Sequence, residues 1–450
     1  MIEKNQSICI IGAGSTGIAA CKNFHQAGLD FICYEASDQI GGNWVYKNKN
    51  QMSSAYKSLH INTSREKMEY SDFPMPDSFP DFPHHSDIAK YFNDYVDHFG
   101  FRDKIKFNTS VVSAILLEDE SWQISTSDGV TNIYDNLVVA NGHHWDPRYP
   151  NPDFKGKYSG ETMHSHHYLE PHDPVDCVGK NIVIVGAGNS AMDIACELSR
   201  KNTANKVFLA VRSPVWITPK YFGSTPLDSF QRHPSIKANI FQKAFEKIFG
   251  FLADFILTRR VIKYIGRPED IGLPKPSHKF TQAHPTISSE IQLRIGSGDL
   301  IIKPNIDNFN NKTVIFDDGS KEEIDVIIYA TGYKISFPFF SDSFLKVKNN
   351  DIALYKRIFH PQYSSLFFLG LVQPLCAMMP IADEQSKLLT SYLKNTYKLP
   401  SQEVMKQDAE SIHNEMKDYY VDSPRHTIQI NCLTYTDDLR DELKLGSRRL

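Results

Sequence analysis

The stretch that most constrains this chain lies at its start. Ser7-Ile8-Cys9-Ile10-Ile11 is a short apolar run that stops at Gly12, which reads as a buried parallel strand. Gly12-Ala13-Gly14-Ser15-Thr16-Gly17 follows as GxGxxG: the first glycine permits a tight turn, the second lets the backbone approach a pyrophosphate, and the third lets the next helix lie close to the strand. The helix is expected to run to about Gly28, and Asp30-Phe31-Ile32-Cys33-Tyr34 forms a second strand. Glu35 ends that strand about 20 residues past the glycines, where an acid accepts hydrogen bonds from a ribose hydroxyl. Strand, turn, helix and acid in register predict a dinucleotide site with contacts at Gly12, Gly14, Ser15, Thr16, Gly17 and Glu35.

The unit then repeats. Asn181-Ile182-Val183-Ile184-Val185 is a strand, and Gly186-Ala187-Gly188-Asn189-Ser190-Ala191 is GxGxxA, in which alanine still allows close helix packing. Lys206 to Val211 forms the second strand of this unit, which ends on Arg212-Ser213 instead of an acid. An arginine there pairs with a 2′-phosphate that an acid would repel, so this site prefers NADP(H), with Gly186, Gly188, Asn189, Ser190, Arg212 and Ser213 as contacts. Two dissimilar sites in one chain imply FAD in the first and NADPH/NADP+ in the second. Such a protein moves hydride from nicotinamide to flavin.

At 450 residues the chain can hold two or three domains, each with its own core. The expected division is 1–170 for the first part of the FAD-binding domain, 171–320 for the NADPH-binding domain, and 321–450 for the rest of the FAD-binding domain with C-terminal helices. A helical insertion at about 214–285 interrupts the second unit. A net charge of -4 with 23% charged residues offers no polyanion-binding surface, which excludes nucleic acid as a partner. The seven cysteines are scattered without a CxxC pair, which argues for a reducing cytoplasm and against a metal site or redox dithiol. His164, His166 and His167 lie close together but have no acidic or cysteine partners at ligand spacing, so no metal is expected. No apolar run is long enough to span a bilayer.

Between the two units, Gly41-Gly42-Asn43-Trp44 comes one short loop after Glu35, so Gly42, Asn43 and Trp44 are read as cofactor contacts in place of an ordinary turn. The proline-punctuated segment from Ser58 to Pro83 contains Asn62-Thr63, and an asparagine there suits either a loop cap or a site that positions a reactive group. Gln373-Pro374 follows the apolar run Leu366-Phe367-Phe368-Leu369-Gly370, at the carboxyl end of a strand where ligands bind in open sheets. Within the insertion, Ile236 to Tyr264 reads as helical, with Phe241, Phe245, Ile248, Phe249, Leu252 and Phe255 near Lys243, Lys247, Arg259, Arg260 and Lys263. Core or homodimer packing is one reading of it, and peripheral contact with a membrane surface is the other.

These pieces together resemble the flavin-containing monooxygenases over nearly the whole chain. Tyr158-x-Gly160-xxx-His164-xxx-Tyr168 is similar to the family fingerprint FxGxxxHxxx(Y/F), with Tyr for Phe at the first position, and Ala330-Thr331-Gly332-Tyr333 resembles the ATG-type linker. Leu59 to Pro76 and Gly370 to Leu375 resemble segments of the eukaryotic-type enzymes. The resemblance implies an α/β fold with two Rossmann-like dinucleotide-binding domains, on the glutathione-reductase-like two-domain flavoprotein plan. It implies that Asn62 and Thr63 lie at the active site, with Asn62 the catalytic asparagine, and that Gln373 lies near the flavin ring. The implied activity is formation of a C4a-hydroperoxyflavin from O2 and transfer of one oxygen atom to a small amine or sulfide. The related Baeyer–Villiger enzymes, which oxygenate ketones, usually carry Trp where Tyr168 stands, so that reading is the alternative.

Overall fold

The computed structural model describes residues 6–239, 242, 255–256, 258–347, 349–419 and 427–450. The fold rests on two five-stranded, all-parallel sheets built on the same plan. In the first, Ser7–Ile11 is central, with Asp30–Tyr34 and Ile105–Lys106 on one side and Asn136–Val139 and Leu366–Phe368 on the other. Register is direct: Ile8 pairs with Phe31 on one flank and Asn136 on the other. In the second, Asn181–Val185 is central, flanked by Lys206–Ala210 and Leu300–Lys303 and, opposite, by Val326–Tyr329 and Glu161–His164. The central strands carry continuous runs of Ile, Val and Cys because helices and loops cover both their faces. Ile8, Cys9, Ile10, Ile182, Val183 and Ile184 are fully buried.

In both sheets the strand order reverses beside the central strand, which opens a crevice at its carboxyl end. The helices Ser15–Gln26 and Asn189–Leu198 start there. The same main-chain bond closes each turn: Gly12 N–H donates to Tyr34 O at 2.8 Å, and Gly186 N–H donates to Ala210 O at 3.0 Å. The first helix packs on Met378–Leu393 through a buried polar seam, where Lys22 Nζ meets Asp383 at 3.2 Å and Asp72 at 2.6 Å.

Two outcomes differ from expectation. The expected boundaries give the Ile324–Tyr333 run and Glu161–His164 to the FAD-binding domain, but the strand Val326–Tyr329 belongs to the second sheet, as does Glu161–His164. The crossing occurs just outside these strands, where Asp146–Pro147 and Tyr333–Lys334 pair antiparallel and Arg148 N–H donates to Gly332 O at 2.9 Å. Second, the cysteines are not all unpaired: Cys376 and Cys432 form a disulfide. They lie 56 residues apart, so spacing gives no sign of the pair. The parallel pairing of Gln373–Pro374 with Gln429–Ile430 brings them together. The expected Ile236–Tyr264 helix lies largely outside the described residues; 258–265 is helical. Among the described residues no helix is long and apolar enough to cross a membrane.

Candidate functional site

One cavity of about 1480 Å³ joins the two crevices. At its first end Gly12, with φ +100°, could not carry a side chain, because a Cβ there would stand 2.7 Å from Ala140 O. Gly14, Ser15 and Thr16 line the cavity from the first turn of the helix, whose N-terminus carries no side-chain cap. Those free N–H groups and the helix dipole make an anion site of pyrophosphate type. Gly17 does not line the cavity; its bare Cα lies against Gly12 O, which brings the helix onto the strand. Glu35 is 6% exposed, and its two oxygens accept from Ala13 N–H at 2.6 Å and Ser37 N–H at 2.7 Å. Burial raises its pKa, while N–H donors from Ala13, Ser37 and Ala36 pull the other way. Gly42 packs against Gly14, with Gly41 N–H donating to Ala13 O at 3.3 Å, so Gly42, Asn43 and Trp44 extend the same wall.

Asn62, Thr63 and Gln373 line the same cavity. Gln373 is set by its pairing with Gln429, its N–H donating to Ile428 O at 2.7 Å. His143 stands beside it; burial lowers the pKa of its imidazole to about 4, with Gln373 and Gly370 O opposing. At the other end the second glycine turn repeats the first: a Cβ on Gly186, φ +134°, would overlap Ala330 O as one on Gly12 would overlap Ala140 O. Gly188, Asn189 and Ser190 line the cavity from the second helix N-terminus, again without a side-chain cap. Asn189 Oδ1 instead accepts from Ile287 N–H at 2.9 Å, tying the end of the insertion to the turn. Arg212 and Ser213 are exposed along the cavity wall.

Two residues escaped the sequence reading. Arg148 lines the same cavity, held flat on the crossing by donation from Nε and Nη2 to Thr331 O at 3.2 and 3.1 Å. Burial lowers its pKa, and the charge of Arg212 lowers it further. Among the described residues no carboxylate forms a salt bridge with either guanidinium, and both line the cavity. Tyr56 is the other: its hydroxyl donates to Asp193 on the second helix. Neither stands in a motif; only the pairing of the crossing strands and the approach of distant loops reveal them.

The histidines take structural partners. His166 N–H donates to His164 Nδ1 at 3.0 Å and the His166 ring nitrogen Nε2 lies 2.8 Å from Gln51 O. Among the described residues no cluster of His, Cys, Asp or Glu is placed to hold a metal. The fingerprint tyrosines brace the second sheet: Tyr158 OH donates to Ile324 O at 3.0 Å and Tyr168 OH to Glu197 at 2.8 Å.

Taken together, the cavity suits two dinucleotides. It has two helix N-termini without side-chain caps, a buried acid after one second strand and an exposed arginine after the other.

The flavin-binding monooxygenase-like family model matches residues 5–447. Flavin-containing monooxygenase 5 of Rattus norvegicus is 37% identical over 449 residues, covering 96% of this chain and 82% of its own length. Dimethylaniline monooxygenase [N-oxide-forming] 2 of Macaca mulatta is 34% identical over 460-odd residues, covering 98% of this chain and 83% of its own. Among solved structures, an OTEMO complex with FAD and NADP superposes with a TM-score of 0.74 at 17% identity, covering 99% of this chain and 98% of that one.

Proposed function

The chain belongs to the flavin-binding monooxygenase-like family, and we propose how its own residues serve that chemistry. It is an FAD- and NADPH-dependent monooxygenase that transfers one oxygen atom from O2 to a soft nitrogen or sulfur nucleophile, a tertiary amine or thioether. When bound, FAD would supply the hydride-accepting and O2-activating chemistry, with NADPH as reductant and water as the product of the second oxygen atom. The protein needs no nucleophile of its own.

In this reading the backbone of Gly14, Ser15 and Thr16 holds the FAD pyrophosphate and Glu35 accepts from its ribose, while Gly42, Asn43 and Trp44 cover it. Gly186, Gly188, Asn189 and Ser190 hold the NADPH pyrophosphate, and Arg212 with Ser213 takes the 2′-phosphate. Asn62, with a donor and an acceptor on one amide, orients the reacting oxygen, with Thr63 and Gln373 beside it. We read the chain up to the Asp146–Pro147 strand and from the Tyr333–Lys334 strand onward as serving FAD, and the part between them, which includes Glu161–His164 and Val326–Tyr329, as serving NADPH. Exposed Phe255, Ile256 and Tyr264 beside Arg259, Arg260 and Lys263 support peripheral contact of the insertion with an anionic membrane face.

The observation that carries the reading is one cavity joining two glycine turns, one ending on an acid and the other on an arginine. The test is turnover with NADPH and O2 on an aryl methyl sulfide and, separately, a cyclic ketone. Sulfoxide formed in proportion to NADPH consumed is expected. Lactone from the ketone with no sulfoxide would transfer the chain to the Baeyer–Villiger reading.

A further inference from the structure

The inserted segment grips the Asn62 turn from both sides. Lys220 Nζ donates to Ile61 O at 2.8 Å, on the residue just before Asn62. Asp228 Oδ2 accepts from Ser64 N–H at 2.6 Å, two residues after it. Ile61 is fully buried and Ser64 nearly so, which leaves water little access to these main-chain groups. The grip continues outward: Tyr221 OH donates to Asp81 at 2.8 Å, Asp81 O accepts from Arg65 N–H at 2.7 Å, and the Lys220 ammonium rests 5.0 Å from the Phe82 ring centre.

Two features set this contact apart from ordinary packing. Lys220 brings a half-buried cation to a single main-chain carbonyl, and Asp228 keeps its other oxygen, Oδ1, buried without a partner among the described residues. Each carries a desolvation cost that an apolar contact would avoid. What the pair fixes is the peptide frame on either side of Asn62, and hence the direction of its amide. A reactive group must be held within about 0.5 Å and 10–20° of its productive geometry.

We propose that Lys220 and Asp228 are positioning residues for Asn62, so that the insertion following the NADPH unit sets the geometry at the flavin end of the cavity. The inference rests on the role given to Asn62 above. It assigns the insertion a task in oxygen transfer that is separate from substrate access or surface contact.

The experiment uses FAD-loaded full-length protein carrying Lys220→Met, Lys220→Arg, Asp228→Ala, Asp228→Asn or Asn62→Ala. Four quantities are read: FAD content, the anaerobic rate of flavin bleaching by NADPH, the fraction of NADPH consumption that ends as H2O2, and amide exchange of a peptide spanning Ser64. Loss of a charged hydrogen bond is expected to raise exchange at the turn about tenfold or more. Lys220→Met and Asp228→Ala should also raise the H2O2 fraction several-fold, with FAD content and bleaching rate within about twofold of the parent. Lys220→Arg still donates and Asp228→Asn still accepts, so both should restore coupling. A raised H2O2 fraction that neither conservative variant reverses, or an unchanged H2O2 fraction in both disruptive variants, overturns the proposal. If Asn62→Ala itself leaves coupling intact, the role of Asn62 has failed. If Asn62→Ala uncouples while Lys220→Met and Asp228→Ala do not, only the positioning inference has failed.

Discussion

Replacing one glycine in each turn tests which turn serves which cofactor. Gly12 and Gly186 hold φ of +100° and +134°, where an L-residue is strained by about 1–3 kcal/mol. In each case the added Cβ also meets a main-chain carbonyl, Ala140 O or Ala330 O, on the residue just after a buried strand, which cannot swing aside as a side chain could. If the turn relaxes by shifting, the strain appears as weaker binding of the dinucleotide it cradles. At about 1.4 kcal/mol per factor of ten, that is roughly 5- to 150-fold. Gly28→Ala is the control: φ is +68°, but a Cβ there meets nothing within 4 Å and lies at the far end of the helix. Gly28→Ala should lower the melting temperature slightly and leave both cofactors bound. Gly12→Ala should lose FAD on gel filtration. Gly186→Ala should keep its flavin colour while the NADP+ Kd, followed by flavin fluorescence, rises by the stated factor. A Gly186→Ala protein that sheds FAD as readily as Gly12→Ala, or binds NADP+ with unchanged Kd, would refute the assignment.

On the proposed contact of its exposed charge with the 2′-phosphate, Arg212→Gln should weaken NADPH about tenfold while leaving NADH unchanged; equal loss for both would place it elsewhere. Burial raises the Asp193 pKa from 3.8 to about 6, against the pull of the Tyr56 hydroxyl. A raised acid pKa stabilises the fold below the unfolded value, and that contribution is lost as pH rises through 6. Asp193→Asn should therefore gain stability relative to the parent between pH 4 and 7, at most roughly 3 kcal/mol, read as a melting-temperature difference that widens with pH. Five free thiols are expected on denaturation without reductant, against seven after reduction. Cys432→Ser should cost about 4 kcal/mol for a span of 56 residues, and reduced parent protein should melt with it.

How much of this was legible in the sequence follows from how local each signal is. The two glycine turns could be read because strand, turn and helix are contiguous. The bonds Gly12 N–H to Tyr34 O and Gly186 N–H to Ala210 O close within one unit. The strand pairing between Asn136–Val139 and Leu366–Phe368 joins segments far apart, and apolar runs ending at glycine marked both without saying which sheet they join. Val326–Tyr329 shows the cost of that ambiguity, because it carries the same signal and belongs to the other sheet. Arg148, Lys220 and Asp228 were invisible for a stronger reason. Their partners are main-chain atoms of Thr331, Ile61 and Ser64, and a carbonyl or amide leaves no mark in the residue alphabet. The Cys376–Cys432 pair is equally silent, since pairing depends on the short parallel ladder before it.

The repeat itself supports assigning different cofactors to the two ends. Both units use the same closing bond, the same carbonyl stop at the first glycine and the same uncapped helix start, so the backbone alone would accept either dinucleotide. What differs is the residue after the second strand. At Glu35 a buried carboxylate already accepts from Ala13 and Ser37, leaving an acceptor-rich wall that a phosphorylated ribose could approach only against like charge. At Arg212 the sign is reversed, and Arg148 from the crossing adds a second guanidinium beside it. Exchange of the two cofactors is therefore opposed at both ends at once. A phosphate would meet a carboxylate at one end, and at the other Arg212 would have no 2′-phosphate to pair with. On the proposed assignment, FAD to the first turn and NADPH to the second, both cofactors would be held in the one cavity that Asn62 also lines.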